Sequence, residues 1–357
     1  MRKFGVPGDR VRARGVLSAH VLNDAPHPPR VLGVHGFRRG PIRVPTPLCI
    51  LPFHRGGDSY ASPMLFNQVT LVGAGLLGGS LGLALQKHAL ARRVVAYVRR
   101  QESVEEALRL GVAQAATLDL AEAVRDSDLV VLCTPISQMR PLTEGMLPSL
   151  RPGTLVTDVG SVKGSVVAEL EPLCARVSAE FVGSHPMAGG EQAGMWASKA
   201  DLFQKAVSII TPTRATRPES CKRVESLWTG VGSLPIRLSP EAHDELVSRS
   251  SHLPHVVAAE LAHYVLSPAH PKDQARLCAG GFRDSTRIAS GSPEMWRDIS
   301  LANRKNLSRV LGVFIESLEE FQHTLDSGDA EELEAFFRSA KERRDRWVES
   351  QGNGSPE

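Results

Sequence analysis

With 357 residues, 42% hydrophobic and 23% charged, the chain has the balance of a globular protein and the length for two cores. No apolar run approaches the roughly 18 residues of a membrane span, and neither end carries a secretory signal core, so membrane insertion is excluded and a cytoplasmic protein is predicted. The net charge of +3 is uneven: residues 1–64 carry ten Lys/Arg against three Asp/Glu (+7) and residues 65–357 carry 32 against 36 (−4), so the basic balance is no sign of nucleic-acid binding.

Residues 1–64 hold nine of the 24 prolines, in runs such as Pro26-His27-Pro28-Pro29-Arg30, and sustain no helical or strand period. Such a segment cannot bury enough apolar surface to offset its ordering entropy, and a disordered basic leader is predicted. It is Arg-rich and acid-poor like a transit peptide but lacks an amphipathic helix; translation from Met64 is the alternative. The five cysteines, Cys49, Cys133, Cys174, Cys221 and Cys278, form no CxxC pair and no Cys/His cluster, so buried reduced thiols are expected, without a disulfide framework or structural metal.

From Gln68 the pattern changes. Val69–Val72 reads as a buried strand, followed at once by Gly73-Ala-Gly75-Leu76-Leu77-Gly78 and a helix through Leu85. Strand and helix then alternate: strand Arg93–Val98, helix Val104–Leu110, strand Asp128–Cys133, helix Leu142–Leu150, strand Thr154–Asp158, helix Lys163–Val177, strand Phe181–Ser184 and strand Val207–Ile210. That alternation predicts a Rossmann-type, doubly wound parallel sheet covered on both faces. After Ser239 the pattern is helical. Met295–Leu325 reads as one long helix with an apolar seam at Leu307, Leu311, Phe314, Leu318, Phe321 and Leu325, covered either within the chain or by a second copy. Glu331–Trp347 forms a last charged helix. The predicted layout is a leader at 1–64, a dinucleotide-binding α/β domain at 65–239, an all-α substrate and dimerisation domain at 240–348, and a frayed tail at 349–357.

The glycine segment follows a strand and opens a helix, the context that gives a GxGxxG pattern its meaning. Gly73 allows the tight turn, Gly75 leaves room for a pyrophosphate, and Gly78 permits close helix–strand packing, while the helix N-terminus at Leu76 and Leu77 presents free N–H groups. An Asp or Glu would ordinarily end the second strand and bind the ribose 2′-hydroxyl of NAD. Here the strand ends Tyr97-Val98-Arg99-Arg100, and two guanidiniums suit a 2′-phosphate, so NADP is favoured over NAD.

Three further segments carry chemistry: Asp158-Val-Gly160-Ser161-Val162-Lys163, His185-Pro-Met-Ala-Gly189, and Phe282-Arg283-Asp284-Ser-Thr286-Arg287. The first two follow predicted strands at the carboxyl edge of the sheet, where open α/β folds bind ligands. The third lies in the helical half, so a site between the two is expected.

Together with Thr134-Pro135 and Ser251-His252-Leu-Pro-His255, these segments stand in the order and approximate spacing of the prephenate/arogenate dehydrogenases, which the chain resembles over about residues 66–347. The resemblance implies oxidative decarboxylation of a 4-hydroxycyclohexadienyl acid in tyrosine biosynthesis. It implies His185 as the catalytic histidine, Ser161 as its hydrogen-bonding serine, Arg287 as the carboxylate-binding arginine, His255 in the substrate pocket, and Thr134 and Pro135 beside the cofactor. Imidazole suits a proton acceptor at neutral pH, and a planar guanidinium suits a carboxylate. Ser161 has a rival role as N-cap of the following helix, and Arg283 a rival as a surface or Asp284-paired residue. His252 is expected to be structural and Trp296 to be a packing residue. A homodimer through the helical half is implied. Two other readings stay open: another two-domain NAD(P)-dependent hydroxy-acid or imine oxidoreductase, for which Lys272 and Lys305 sit in no matching motif, and a non-catalytic dinucleotide sensor.

Overall fold

The computed structural model describes residues 64–352 except residue 191, so the predicted leader up to residue 63 and residues 353–357 of the predicted tail lie outside the described residues. Six strands form a parallel sheet in the order β3-β2-β1-β4-β5-β6: β1 (Phe66–Val72), β2 (Ala91–Tyr97), β3 (Ala115–Thr117), β4 (Leu129–Leu132), β5 (Leu155–Asp158) and β6 (Glu180–Phe181). Helices α1 (Leu76–Lys87), α2 (Gln101–Arg109), α3 (Leu120–Val124), α4 (Ile136–Met146) and α5 (Gly164–Ala175) make the crossovers. This is the Rossmann-type order, with the direction of winding reversing between β1 and β4. Because both faces are covered, the central strands are apolar throughout: Val69, Leu71, Leu129 and Val131 enter one core with Leu81, Leu85 and Trp228, while Val72, Val130 and Leu132 enter the other with Met139, Val166 and Leu170.

Phe181–Ser184, predicted as one strand, is divided between two sheets. Val182 sits at the break, its N–H donating to the Val156 carbonyl and its own carbonyl accepting the Thr157 hydroxyl. The chain then enters β7 (Gly183–Pro186), which pairs antiparallel with β8 (Val207–Thr211); β8 in turn pairs parallel with β9 (Leu234–Arg237), reached through α6 (Pro218–Gly230). Strands β3 and β9 and helix α3 escaped sequence reading because each has only three to five residues, too few to show a period.

Helix α7 (Pro240–Val247) runs through a π turn at Ser248–His252 into α8 (Leu253–Val265), followed by α9 (Gly280–Thr286), α10 (Pro293–Ala302), α11 (Arg304–Ser327) and α12 (Ala330–Gly352). The helix predicted over Met295–Leu325 is therefore two, broken at Asn303. The apolar period runs through this point, but Asn303 is buried and its amide donates to the Asp244 carbonyl at 2.8 Å, which holds its backbone out of helical register. Along the α11 seam Leu307 is buried, Leu311, Phe314 and Phe321 are half-buried, and Leu318 and Leu325 are exposed. Coverage within the chain is thus confined to part of the seam, with Phe321 packed against Phe336 and Phe337 of α12. No helix among the described residues is long and apolar enough to cross a membrane.

The segment between β7 and β8 is anchored by Phe203, fully buried edge-on to Trp228 with ring centroids 5.4 Å apart. Replacing Phe203 with Ala is expected to cost about 3–5 kcal/mol in urea unfolding, and a loss below about 1 kcal/mol would show that the anchor is not there.

Candidate active site

At the reversal point of the sheet, Gly73 has a left-handed φ of +96°, and a Cβ there would lie 2.9 Å from the Thr134 methyl and 3.0 Å from the Cys133 carbonyl oxygen. A Cβ on Gly78 would come within 2.1 Å of the Gly73 carbonyl, so only glycine lets α1 approach β1 this closely. Gly75 differs: nothing lies within 4 Å of where its Cβ would be. It is the N-cap of α1 and supplies no side-chain cap, so the first N–H groups of the helix, at Leu76 and Leu77, face that open space. The Thr134 hydroxyl, on the loop after β4, is buried without a partner, and Pro135 beside it is exposed at the start of α4. Open space, unpaired helix N–H groups and an orphaned hydroxyl fit a pyrophosphate dinucleotide. Arg99 and Arg100 are exposed just beyond β2, and neither guanidinium pairs with a carboxylate among the described residues.

One turn along the carboxyl edge, Asp158 ends β5 and is fully buried. Its Oδ2 accepts the Gly160 N–H at 2.8 Å and the Lys163 ammonium, and its Oδ1 accepts the Ser184 N–H at 3.1 Å. Lys163 also donates from Nζ to the Ser184 carbonyl at 2.9 Å. Burial pulls the Lys163 amine down from its ordinary range, and the neighbouring Asp158 and Asp244 carboxylates oppose that pull. This knot ties the β5–α5 loop to β7 and so fixes the backbone of His185.

His185 stands opposite Ile209 of β8 and is 7% exposed. Its Nδ1 lies 2.8 Å from His243 Nε2, and His243 Nδ1 lies 2.8 Å from Asp244 Oδ1. Asp244 reaches from α7 to cap α5: Oδ1 accepts the Lys163 N–H at 2.7 Å and Oδ2 the Gly164 N–H at 2.8 Å. The N-cap role open to Ser161 is therefore taken by Asp244, because α5 begins at Gly164, two residues too late for the Ser161 hydroxyl. Ser161 is half-buried on the same loop. His185 Nε2 has no partner among the described residues and, unlike His252 Nε2, is not sealed from solvent. Burial first, then His243, Lys163 and His252, hold the His185 imidazole well below the usual histidine range.

A line of interacting imidazoles continues from there. His252, fully buried with Nδ1 3.2 Å from the Asn303 amide, is pushed down to about 4, mainly by burial, and also feels His255. His255 stacks on Trp296 with ring centroids 3.8 Å apart, its Nδ1 lies 2.9 Å from the Ser251 carbonyl, and burial followed by the charge of Arg287 lowers its pKa. Trp296 also meets the His252 ring edge-on at 6.1 Å. Arg287 and Arg283, one helical turn apart, line a cavity of about 400 Å³ with Cys278, Phe282 and Thr286. His185 and Arg287 thus stand at the two ends of one cluster.

Sequence reasoning missed His243, Asp244 and Asn303, and assigned no role to Asp158 or Lys163. The available signal was the adjacent His243-Asp244 pair opening a helix after Ser239-Pro240, where a solvated first turn needs no histidine.

Comparison with known proteins gives one consistent result. Residues 81–236 match the family model described as prephenate dehydrogenase, nucleotide-binding domain, and residues 239–339 the one described as prephenate dehydrogenase, dimerization domain. The chain is 35% identical to a prephenate dehydrogenase of Bacillus subtilis, over 78% of this chain and 75% of that one. It is 33% identical to a cyclohexadienyl dehydrogenase of Zymomonas mobilis, over 78% of this chain and 96% of that one. Among solved structures, prephenate dehydrogenase from A. aeolicus in complex with hydroxyphenyl propionate and NAD+ superposes with a TM-score of 0.74 at 33% identity, covering 78% of this chain and 98% of that one.

His185, His243 and His252 are buried with pKa values below the ordinary 6.5, so the unfolded chain binds protons that the folded chain does not. Stability is unaffected above that pH and is lost as pH falls below it, down to about 4, where His252 itself titrates. Each such group contributes up to about 1.4 kcal/mol per pH unit, so Tm should fall as the pH drops from about 6.5 toward 4, and a flat profile would contradict the buried neutral cluster.

Proposed function

The chain belongs to the prephenate dehydrogenase family and is an enzyme of the tyrosine-forming branch, and we propose that it oxidatively decarboxylates prephenate with NADP as its cofactor in a homodimer. The observation that carries the reading is His185, neutral and with Nε2 open, in one cluster with Arg287.

Gly73, Gly75, Gly78, the N–H groups of Leu76 and Leu77, and the Thr134-Pro135 loop would hold the dinucleotide, which when bound supplies the hydride acceptor for C4 of the acid. His185 Nε2 takes the proton of the C4 hydroxyl as hydride leaves, and loss of the ring carboxylate as CO2 completes the aromatic ring. Arg287 holds a substrate carboxylate through its planar fork, with Arg283 a second cation on the same cavity wall. His255, with Nδ1 2.9 Å from the Ser251 carbonyl and its pKa lowered in part by the charge of Arg287, is the histidine we assign to the substrate pocket. Ser161, half-buried on the loop between Asp158 and Lys163, is the serine we assign to hydrogen-bonding in the same cluster. The A. aeolicus relative was crystallised with NAD+. In this chain Arg99 and Arg100 stand where an acid would bind the 2′-hydroxyl, which supports a 2′-phosphate. The part-covered α11 seam, with exposed Leu261 and Tyr264 of α8, supports pairing of helical halves.

His185→Asn should lower kcat by about 10²-fold while leaving cofactor affinity nearly unchanged, and Arg287→Ala should mainly raise KM for the acid. Steady-state kinetics on prephenate and arogenate check both; turnover that survives in the His185 variant would remove the assignment. Separately, Arg99→Asp should move the ratio of KM for NADP to KM for NAD upward by about tenfold, the effect of roughly 1.4 kcal/mol. An unchanged ratio would remove the case for NADP.

A further inference from the structure

We propose that His243 and Asp244 are positioning residues that lock His185 in the tautomer carrying its proton on Nδ1, so that Nε2 is always the proton acceptor. This rests on His185 being the base. Neither residue touches the cleft: His243 is fully buried and Asp244 is 6% exposed.

The direction of each hydrogen bond follows from its neighbour. Asp244 faces three donors, the N–H groups of Lys163 and Gly164 and the His243 ring, and a carboxylate can only accept. The proton between Asp244 and His243 therefore sits on His243 Nδ1. The opposite arrangement would bring two lone pairs to 2.8 Å between buried side chains in direct contact. A neutral His243 then has only Nε2 left, as an acceptor. Nε2 lies 2.8 Å from His185 Nδ1, which must donate. A neutral His185 with its proton on Nδ1 has its lone pair on Nε2, the edge without a protein partner. This is the tautomer that free histidine disfavours, so it has to be imposed.

The same line of bonds serves the charged state. When the hydroxyl proton moves to Nε2, Nδ1 keeps its own proton, hydrogen-bonded to His243, and the imidazolium is stabilised through His243 by the Asp244 carboxylate. Burial lowers proton affinity at His185, and a hydrogen bond from Nδ1 to an uncharged His243 favours the imidazolium at the moment of transfer. Because Asp244 is also the cap of α5, the loop carrying Ser161 and the ring of His185 are set by one carboxylate.

His243→Phe fills the same space without an acceptor, whereas His243→Gln keeps an amide oxygen that can accept from His185 Nδ1. The Phe variant should lose about 10–100-fold in kcat with KM for the acid and Kd for the dinucleotide within about twofold, and the Gln variant should recover most of that loss. Nitrogen NMR of wild-type protein with labelled histidines should show His185 protonated on Nδ1, and this readout needs no variant that folds. A proton on Nε2, or equal kcat in the Phe variant and wild type, overturns the relay. The failures are distinguishable: if His185→Asn retains turnover the base assignment falls, whereas if it is inactive and His243→Phe is fully active only the relay falls.

Discussion

The site depends on one buried residue, Lys163, whose amine and backbone face different parts of the molecule. The amine is held by Asp158 at the end of β5 and by the Ser184 carbonyl on β7; its backbone N–H is held by Asp244 of α7. Three pieces of chain, the end of β5, β7 and α7, are joined there. A buried ion pair is a poor source of net stability, since desolvation offsets most of the attraction, but removing one partner strands the other at a cost of about 3–5 kcal/mol. What the pair supplies is specificity of position. The Asp158 carboxylate accepts from Gly160, Lys163 and Ser184, so the backbone beside His185 cannot settle elsewhere without weakening the pairing of a buried charge.

Around that ion pair lies a cluster of neutral rings. His185, His243 and His252 are all held uncharged, and burial is the leading cause in each. The positive charge of Lys163 adds to this at His185 and His243, so the cation at the base of the site keeps the acceptor unprotonated. At the far end of the cluster Arg287 does the same to His255. In the proposed reaction an acid would enter between the two with its carboxylate toward Arg287 and its hydroxyl toward the neutral His185.

What could be read from the sequence was local. Gly73 and Gly78 announce themselves because close backbone approach demands glycine there, and the segments that carry Ser161, His185 and Arg287 stand out as short motifs. The alternation of strand and helix followed from the apolar runs. What could not be read was tertiary. His243 meets His185 across 58 residues, and Asn303 meets Asp244 across 59. A lysine is almost never fully buried, so composition argues against the role that Lys163 has. The break in the predicted long helix and the split at Val182 have the same origin: the apolar period is continuous through both points, and a buried hydrogen-bond network overrides it.

The placement of the network also says which side of the cleft can move. The wall with His185 is built from β7, the β5–α5 loop and α7, and opening it would leave the Lys163 and Gly164 N–H groups and the Asp244 carboxylate unpaired, at about 1–3 kcal/mol for each group. Arg287 follows α9, a seven-residue helix with only Thr286 buried, and opens a short 3-10 turn. In the proposed reaction, a proton acceptor fixed in tautomer and position by this wall would preserve the geometry of proton and hydride transfer while an acid is gripped and released at Arg287.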